Sequence, residues 1–201
     1  MTRRHVSAFI GGLLLLLTAC GDVLAQDLVP VPPLRGHVTD LTGTLTSQQV
    51  ASLDESLAAF ERDHGSQIAV LMVPTTKPEA IEQYSIRVAE AWKVGRKKID
   101  DGVIVVVAKN DHRLRIEVGY GLEGAIPDAI AKRVIQEVMA PHLVEADFYG
   151  GLRAGTAQLM KLIEGEQLPP PAPLAQQKSD GGYLPLFVVM LIVVVTRRGS
   201  R

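Results

Sequence analysis

The chain reads as a layered α/β domain with a central mixed sheet containing one β-hairpin, and three observations lead there. Gln67–Val73 (QIAVLMV) and Gly102–Ala108 (GVIVVVA) are almost continuous apolar runs, rich in β-branched residues and too short for stable helices. Such runs suit strands covered on both faces. Arg113–Val118 alternates instead, with Leu114, Ile116 and Val118 on one face and Arg113, Arg115 and Glu117 on the other. It is therefore a half-exposed strand, joined to the preceding run through the polar turn at 109–112. A hairpin is antiparallel, so a sheet that also carries helix-separated strands is mixed.

The helices follow in order. Thr46 with Gln49 three residues on has the form of a capping box, and Val50, Leu53, Leu57 and Phe60 recur at helical spacing until Gly65. Pro74 ends the first apolar strand. Pro78 suits the first turn of a second helix that carries Ile81, Tyr84, Val88, Ala91 and Trp92. After the loop at 119–128, the spacing of Ile130, Val134, Ile135 and Val138 predicts a helix that stops at Pro141. Asp147 is placed to cap a last helix with Leu152, Leu159 and Leu162 on its apolar face.

The ends of the 201-residue chain are appendages. Residues 1–25 have the form of a secretory signal, with Arg3 and Arg4 ahead of an apolar stretch and small residues after it. Two cleavage readings stay open: a lipobox ending at Cys20, and an ordinary site after Ala25. Cys20 is the single cysteine, so no disulfide forms within one chain. Residues 164–182, with Pro169, Pro170, Pro171 and Pro173, form a spacer that cannot bury enough apolar surface to fold. Residues 183–196 (YLPLFVVMLIVVVT) are uncharged, and Arg197, Arg198 and Arg201 follow. That is a short C-terminal transmembrane segment with a basic cytoplasmic tail, 197–201, which places the domain on the extracytoplasmic side of the cell envelope. At about 1.5 Å per residue the segment is shorter than a usual span, so thinning of the bilayer and snorkelling of the arginines would have to close the gap.

Charge narrows the partners. Residues 26–182 keep 16 of the 21 Lys+Arg and 21 of the 22 Asp+Glu, a net charge of −5. Nucleic acid and anionic lipid are poor partners for such a domain, and a cation is a better one. No Walker loop, HExxH, CxxC or GxSxG is present. Gly119, Gly121 and Gly124 match the spacing of a dinucleotide fingerprint, but they follow the second strand of a hairpin rather than opening a βαβ unit. The reading that fits them is a tight loop using positive φ. The histidines show no ligand spacing.

Five carboxylates stand at element ends: Asp40 before the first helix, Asp100 and Asp101 before the second apolar strand, and Glu123 and Asp128 around the glycine loop. Gathered around backbone carbonyls they would suit a hard divalent cation, Ca²⁺ or Mg²⁺. Taken singly, each is an ordinary cap or turn residue. Arg113 and Arg115 could hold a phosphate or carboxylate, or pair with a neighbouring Glu.

The stretches VTDLTGTL (38–45), DGV (101–103) and RLRIEVGYGLEG (113–124), with Asp128, resemble the TPM-domain family. The resemblance covers residues 34–163. It implies an α/β/α sandwich of three layers, a signal peptide and a C-terminal apolar segment. It also implies two functions seen among relatives, acid phosphatase activity in a plant member and Ca²⁺ binding by an acidic cleft in others. Carried over, the implied cation ligands are Asp40, Asp101, Glu123 and Asp128. The expected function is a tethered module binding a divalent cation and a protein partner in envelope or membrane-complex maintenance; the alternative is a metal-assisted acid phosphatase using Arg113 or Arg115.

Overall fold

In the computed structural model residues 27–165 are described. The expected signal, the apolar segment, the basic tail and all but the start of the spacer lie outside the described residues. The elements run β1 (Val38–Asp40), α1 (Ser47–His64), β2 (Gln67–Val73), α2 (Ile81–Trp92), β3 (Gly102–Ala108) and β4 (Arg113–Val118). A 3-10 turn (Tyr120–Leu122) follows, then α3 (Asp128–Arg133), a π-helical segment (Val134–Met139), α4 (Ala140–Val144) and α5 (Phe148–Ile163).

The four strands lie in the order β1-β2-β3-β4. β1, β2 and β3 are parallel, and β4 returns antiparallel to β3. β2 and β3 are buried along almost their whole length, as unbroken apolar runs require. Alternate residues of each serve different cores. Ile68, Val70, Met72, Val103, Val105 and Val107 meet Leu53 and Leu57 of α1, Val134 and Met139 of the π segment, and Leu152 and Leu159 of α5. Ala69, Leu71, Val73, Ile104 and Val106 meet Ile81, Tyr84, Val88 and Trp92 of α2. The result is a three-layer α/β/α sandwich around a mixed sheet.

One consequence of this layering was not visible in the residue pattern. The steps β1 to β2 and β2 to β3 advance across the sheet in the same direction, yet α1 and α2 lie on opposite faces. The two crossovers therefore have opposite hands, and one of them is the rare left-handed kind.

The capping box forms as its spacing implies. Thr46 accepts from the Gln49 N–H, Gln49 accepts from the Thr46 N–H, and Gly65 closes α1 at φ 79°. Asp147 likewise caps α5, accepting from the Gly150 N–H. Three details differ from the sequence reading. β1 has only three residues, too few for an apolar run, and pairing with β2 rather than local pattern makes it a strand. Pro78 sits in a turn with a cis Lys77–Pro78 bond, ahead of an α2 that starts at Ile81. The helix expected to stop at Pro141 runs on to Val144. It does so because its last turn before the proline widens: the Ala140 N–H bonds Ile135 O, five residues back. The wider turn leaves room for a proline that has no N–H to donate and would clash with the carbonyl four residues back.

The domain also begins earlier than residue 34. Val29, Val31 and Leu34 pack against the α2 core as an extended strap. Tyr84 and Trp92 donate to it, from the phenol to Pro30 O at 3.2 Å and from the indole N–H to Pro32 O at 2.7 Å. The Arg87 guanidinium donates to Val29 O at 3.2 Å. These bonds give the strap's carbonyls the partners that backbone acceptors require once water is excluded.

Because Trp92 is the single tryptophan, its emission reports on this strap. Deleting residues 27–33 should shift that emission to the red and lower the melting temperature by several degrees, a loss of about 1–3 kcal/mol in hydrogen bonds and apolar cover. Unchanged emission would show that the strap does not dock.

Candidate functional site

At the end of the sheet where β2 and β3 begin, three segments meet with almost no side chain between them. A Cβ on Gly102 would lie 2.0 Å from Val94 O, and one on Gly95 would lie 2.4 Å from Gly102 N. One on Gly119 would lie 2.3 Å from Asp100 O, and one on Gly121 would lie 2.1 Å from Ile99 O. Only glycine permits such approaches. This replaces the positive-φ reading of the glycine loop: Gly95 alone of these four has positive φ, at 93°. Gly124 has neither positive φ nor a neighbour within 4 Å.

Asp101 locks the same junction. Its carboxylate accepts from the Arg96 N–H at 2.8 Å, from the Arg96 side chain and from the Ser66 hydroxyl at 3.2 Å. Asp101 is 2% exposed. Burial opposes its ionisation, but the Arg96 hydrogen bonds and charge outweigh that and hold the carboxyl below its ordinary value of 3.8. Asp100, at φ 57°, turns its carboxylate to the Tyr120 N–H at 3.0 Å.

Beside this junction lies a groove of about 540 Å³, walled by Ile86, Ala89, Glu90 and Lys93 of α2 and by Glu117 and Val118 of β4. Residues 94–97 and Asp100 form its end. Glu117 is held in place by the Ser85 hydroxyl at 2.6 Å and by Arg115 Nε at 2.8 Å. The groove lining contains no hydroxyl, thiol or imidazole. It offers apolar contact with charges of both signs at its margin, which suits binding a chain segment more than activating a nucleophile.

The four carboxylates implied as cation ligands are not brought into one site. Asp40 pairs with Met72 near the far end of β2, whereas Asp101 precedes the residue that pairs with Gln67 at the near end. Five strand steps, roughly 16 Å, separate those levels. Asp40 closes its own loop, accepting from the Thr42 N–H and hydroxyl at 2.7 and 2.6 Å and from the Leu45 N–H at 2.8 Å. Burial opposes its ionisation, but these bonds lower its pKa. Glu123 and Asp128 are exposed near the 3-10 turn and the start of α3. Among the described residues no group of three or more His, Cys, Asp or Glu is arranged to hold a metal ion. Asp40 and Asp101 lie at opposite ends of parallel strands.

The two arginines also part company. Arg115 is engaged by Glu117, which raises its pKa with help from Asp128 and Glu82. Arg113 is exposed at the other end of β4. Sequence reading passed over Asp111, which ties the hairpin turn to the β2–α2 loop. It accepts from the Thr76 N–H and Thr75 hydroxyl at 2.8 Å and faces Lys77 Nζ at 3.4 Å. Burial opposes its ionisation too, and these donors nevertheless lower its pKa. Its signal in the sequence, an Asp in a polar turn, is indistinguishable from any solvated turn residue.

Two outcomes follow from this geometry. Gly121→Ala should cost about 1–3 kcal/mol in chemical denaturation while Gly124→Ala stays within about 0.5 kcal/mol, though both belong to the same glycine spacing. Equal effects would remove the close-approach argument.

Asp101 and Asp111 both have lowered folded pKa values, so the folded chain binds fewer protons than the unfolded one in acid. Their contribution is complete above the unfolded value near 3.8 and is lost as pH falls through the lowered folded values. Urea midpoints should therefore drop steeply below about pH 4. Asp101→Asn should cost about 2 kcal/mol at neutral pH, with the screening of half-exposed Arg96 allowed for, and should shallow that acid slope. A variant with the wild-type slope would exclude Asp101 as its source.

Comparison with known proteins agrees with the architecture. The TPM domain model matches residues 38–162. The N-terminal domain of a protein from P. gingivalis, solved by NMR, is similar at 32% identity and a TM-score of 0.59, covering 64% of this chain and 82% of that one. The N-terminal domain of cg2496 from Corynebacterium glutamicum is similar in fold at 16% identity and a TM-score of 0.52, covering 78% and 95%. BA42 from Bizionia argentinensis is similar in fold at 14% identity and 0.51, covering 63% and 86%. No curated protein matches the chain. With the family model spanning more than half of its length and the sandwich in place, the chain belongs to the TPM domain family.

Proposed function

We propose that this chain is an exported, membrane-tethered TPM-domain module that binds a segment of an envelope protein in the groove between α2 and β4. The observation that carries the reading is the groove itself: apolar walls from Ile86, Ala89 and Val118, charges of both signs at the margin, and no hydroxyl, thiol or imidazole in the lining. Ile86 is 50% exposed, an apolar side chain available to a partner. Export and tethering rest on residues 1–25 and 183–201, which lie outside the described residues. Within the described residues no helix is long and apolar enough to cross a membrane.

The divalent cation has less support than the partner, because Asp40 and Asp101 stand at opposite ends of the sheet. The phosphatase alternative loses Arg115 to Glu117 and Asp101 to Arg96. A photo-crosslinking residue at position 86 of the full chain in its native membrane should give one protein adduct. Ala89→Arg should abolish it, and the same probe at position 149, on the opposite face, should not reproduce it. In the same preparation phosphate ester hydrolysis should stay at background, and calorimetry with Ca²⁺ and Mg²⁺ should give no saturable heat at millimolar concentration. Hydrolysis that falls with Glu117→Gln would replace the binding reading with the enzymatic one.

A further inference from the structure

A second groove lies at the other end of the sheet, on the opposite face from α2. It has a volume of about 330 Å³, within the range of small-molecule sites. Its apolar wall comes from Leu114 of β4, Ile135 of the π segment, Leu143 of α4 and Phe148 of α5. Val144 stands at the mouth and is 87% exposed, the most exposed large apolar side chain among the described residues. Ala140 and Leu143, on the helix that continues through the wide turn before Pro141, also contribute to the lining.

The polar residues of the lining are Lys109, His112 and Arg113, the last at the rim where β4 begins, and no Asp or Glu is among them. None of the three makes an ion pair within the described residues, although the chain as a whole is slightly acidic. Asp111, between Lys109 and His112, is turned away and engaged by Thr75, Thr76 and Lys77. Lys109 Nζ lies 5.6 Å from the centre of the Phe148 ring, so one cation is held over the apolar wall itself. Apolar depth with the two cations Lys109 and Arg113 and no carboxylate in the lining is complementary to one ligand type, an apolar body ending in an anion.

We infer that this groove binds a single-chain amphiphile with a carboxylate head, its chain against Leu114, Ile135, Leu143 and Phe148 and its head between Lys109 and Arg113. This site is separate from the α2–β4 groove and does not depend on the function proposed there. Arg113, set beside Arg115 in the sequence reading, thereby has an anion-binding role while Arg115 has a structural one.

The test uses the full chain in non-ionic detergent and a decanoate analogue carrying a diazirine. Photolysis should place adducts on the peptide containing Leu143, Val144 and Phe148. Decanoate should displace them, and decanol and decyltrimethylammonium should not. Position 144 reads the sign of the field: Val144→Glu should lower labelling about tenfold while Val144→Lys retains it, a difference near 1.4 kcal/mol. Both variants alter an exposed side chain, so folding is not at stake. Lys109→Ala with Arg113→Ala should match Val144→Glu. Displacement by decanol as good as by decanoate, equal labelling of Val144→Glu and Val144→Lys, or adducts confined to residues 183–196 would each overturn the inference. Displacement by decyl phosphate alone would overturn the carboxylate assignment.

Discussion

Backbone meeting backbone, with glycine at each contact, is the constraint on which the candidate site depends. Gly95 and Gly102 let the chain cross itself between α2 and β3, and Gly119 and Gly121 bring the end of β4 onto residues 99 and 100. The junction is also held by hydrogen bonds and by Asp101, whose buried carboxylate gathers the Arg96 backbone and side chain and Ser66. The α2–β4 groove has the shape it has because its end wall, residues 94–97, is pinned there. A carboxylate that looks like a metal ligand in the sequence is thus a strut of the scaffold beside that groove.

The sheet explains why two separate grooves occur. Two crossovers of opposite hand put α1 on one face and α2 on the other, so three parallel strands suffice to support a three-layer sandwich. β4 is the last strand of the sheet. One face of it borders α2 and the first groove, and the other borders the α3–α4 helix and the second. Each groove therefore sits where a helix layer ends against the last strand, and their opposite positions follow from the antiparallel run of β4, which ends at one rim and begins at the other.

Much of the architecture was legible in the residues because burial leaves a pattern. QIAVLMV and GVIVVVA can only be strands hidden on both sides, RLRIEV can only be half hidden, and Thr46 with Gln49 announces a helix start through local hydrogen bonds. What local pattern does not encode was missed. β1 is a strand only by virtue of β2, and the helix through Pro141 survives only by widening a turn. The strap ahead of residue 34 is apolar at Val29 and Val31, but nothing in its own sequence says that Tyr84 and Trp92 will bond to its carbonyls.

The sequence by itself determined the α/β class and the mixed sheet with its hairpin, because hydrophobic periodicity and short-range caps are properties of neighbouring residues, while the family followed from the motifs at 38–45, 101–103 and 113–124. It also determined which residue types crowd the element ends. The tertiary structure alone decided which of them meet. Asp40, Asp101 and Arg113 belong to different ends of the sheet because strand direction and order, set by long-range packing of two cores, fix where each end lies. Charge partners were decided in the same way, Asp101 going to Arg96 and Arg115 to Glu117, while Lys109, His112 and Arg113 were left together beside an apolar wall.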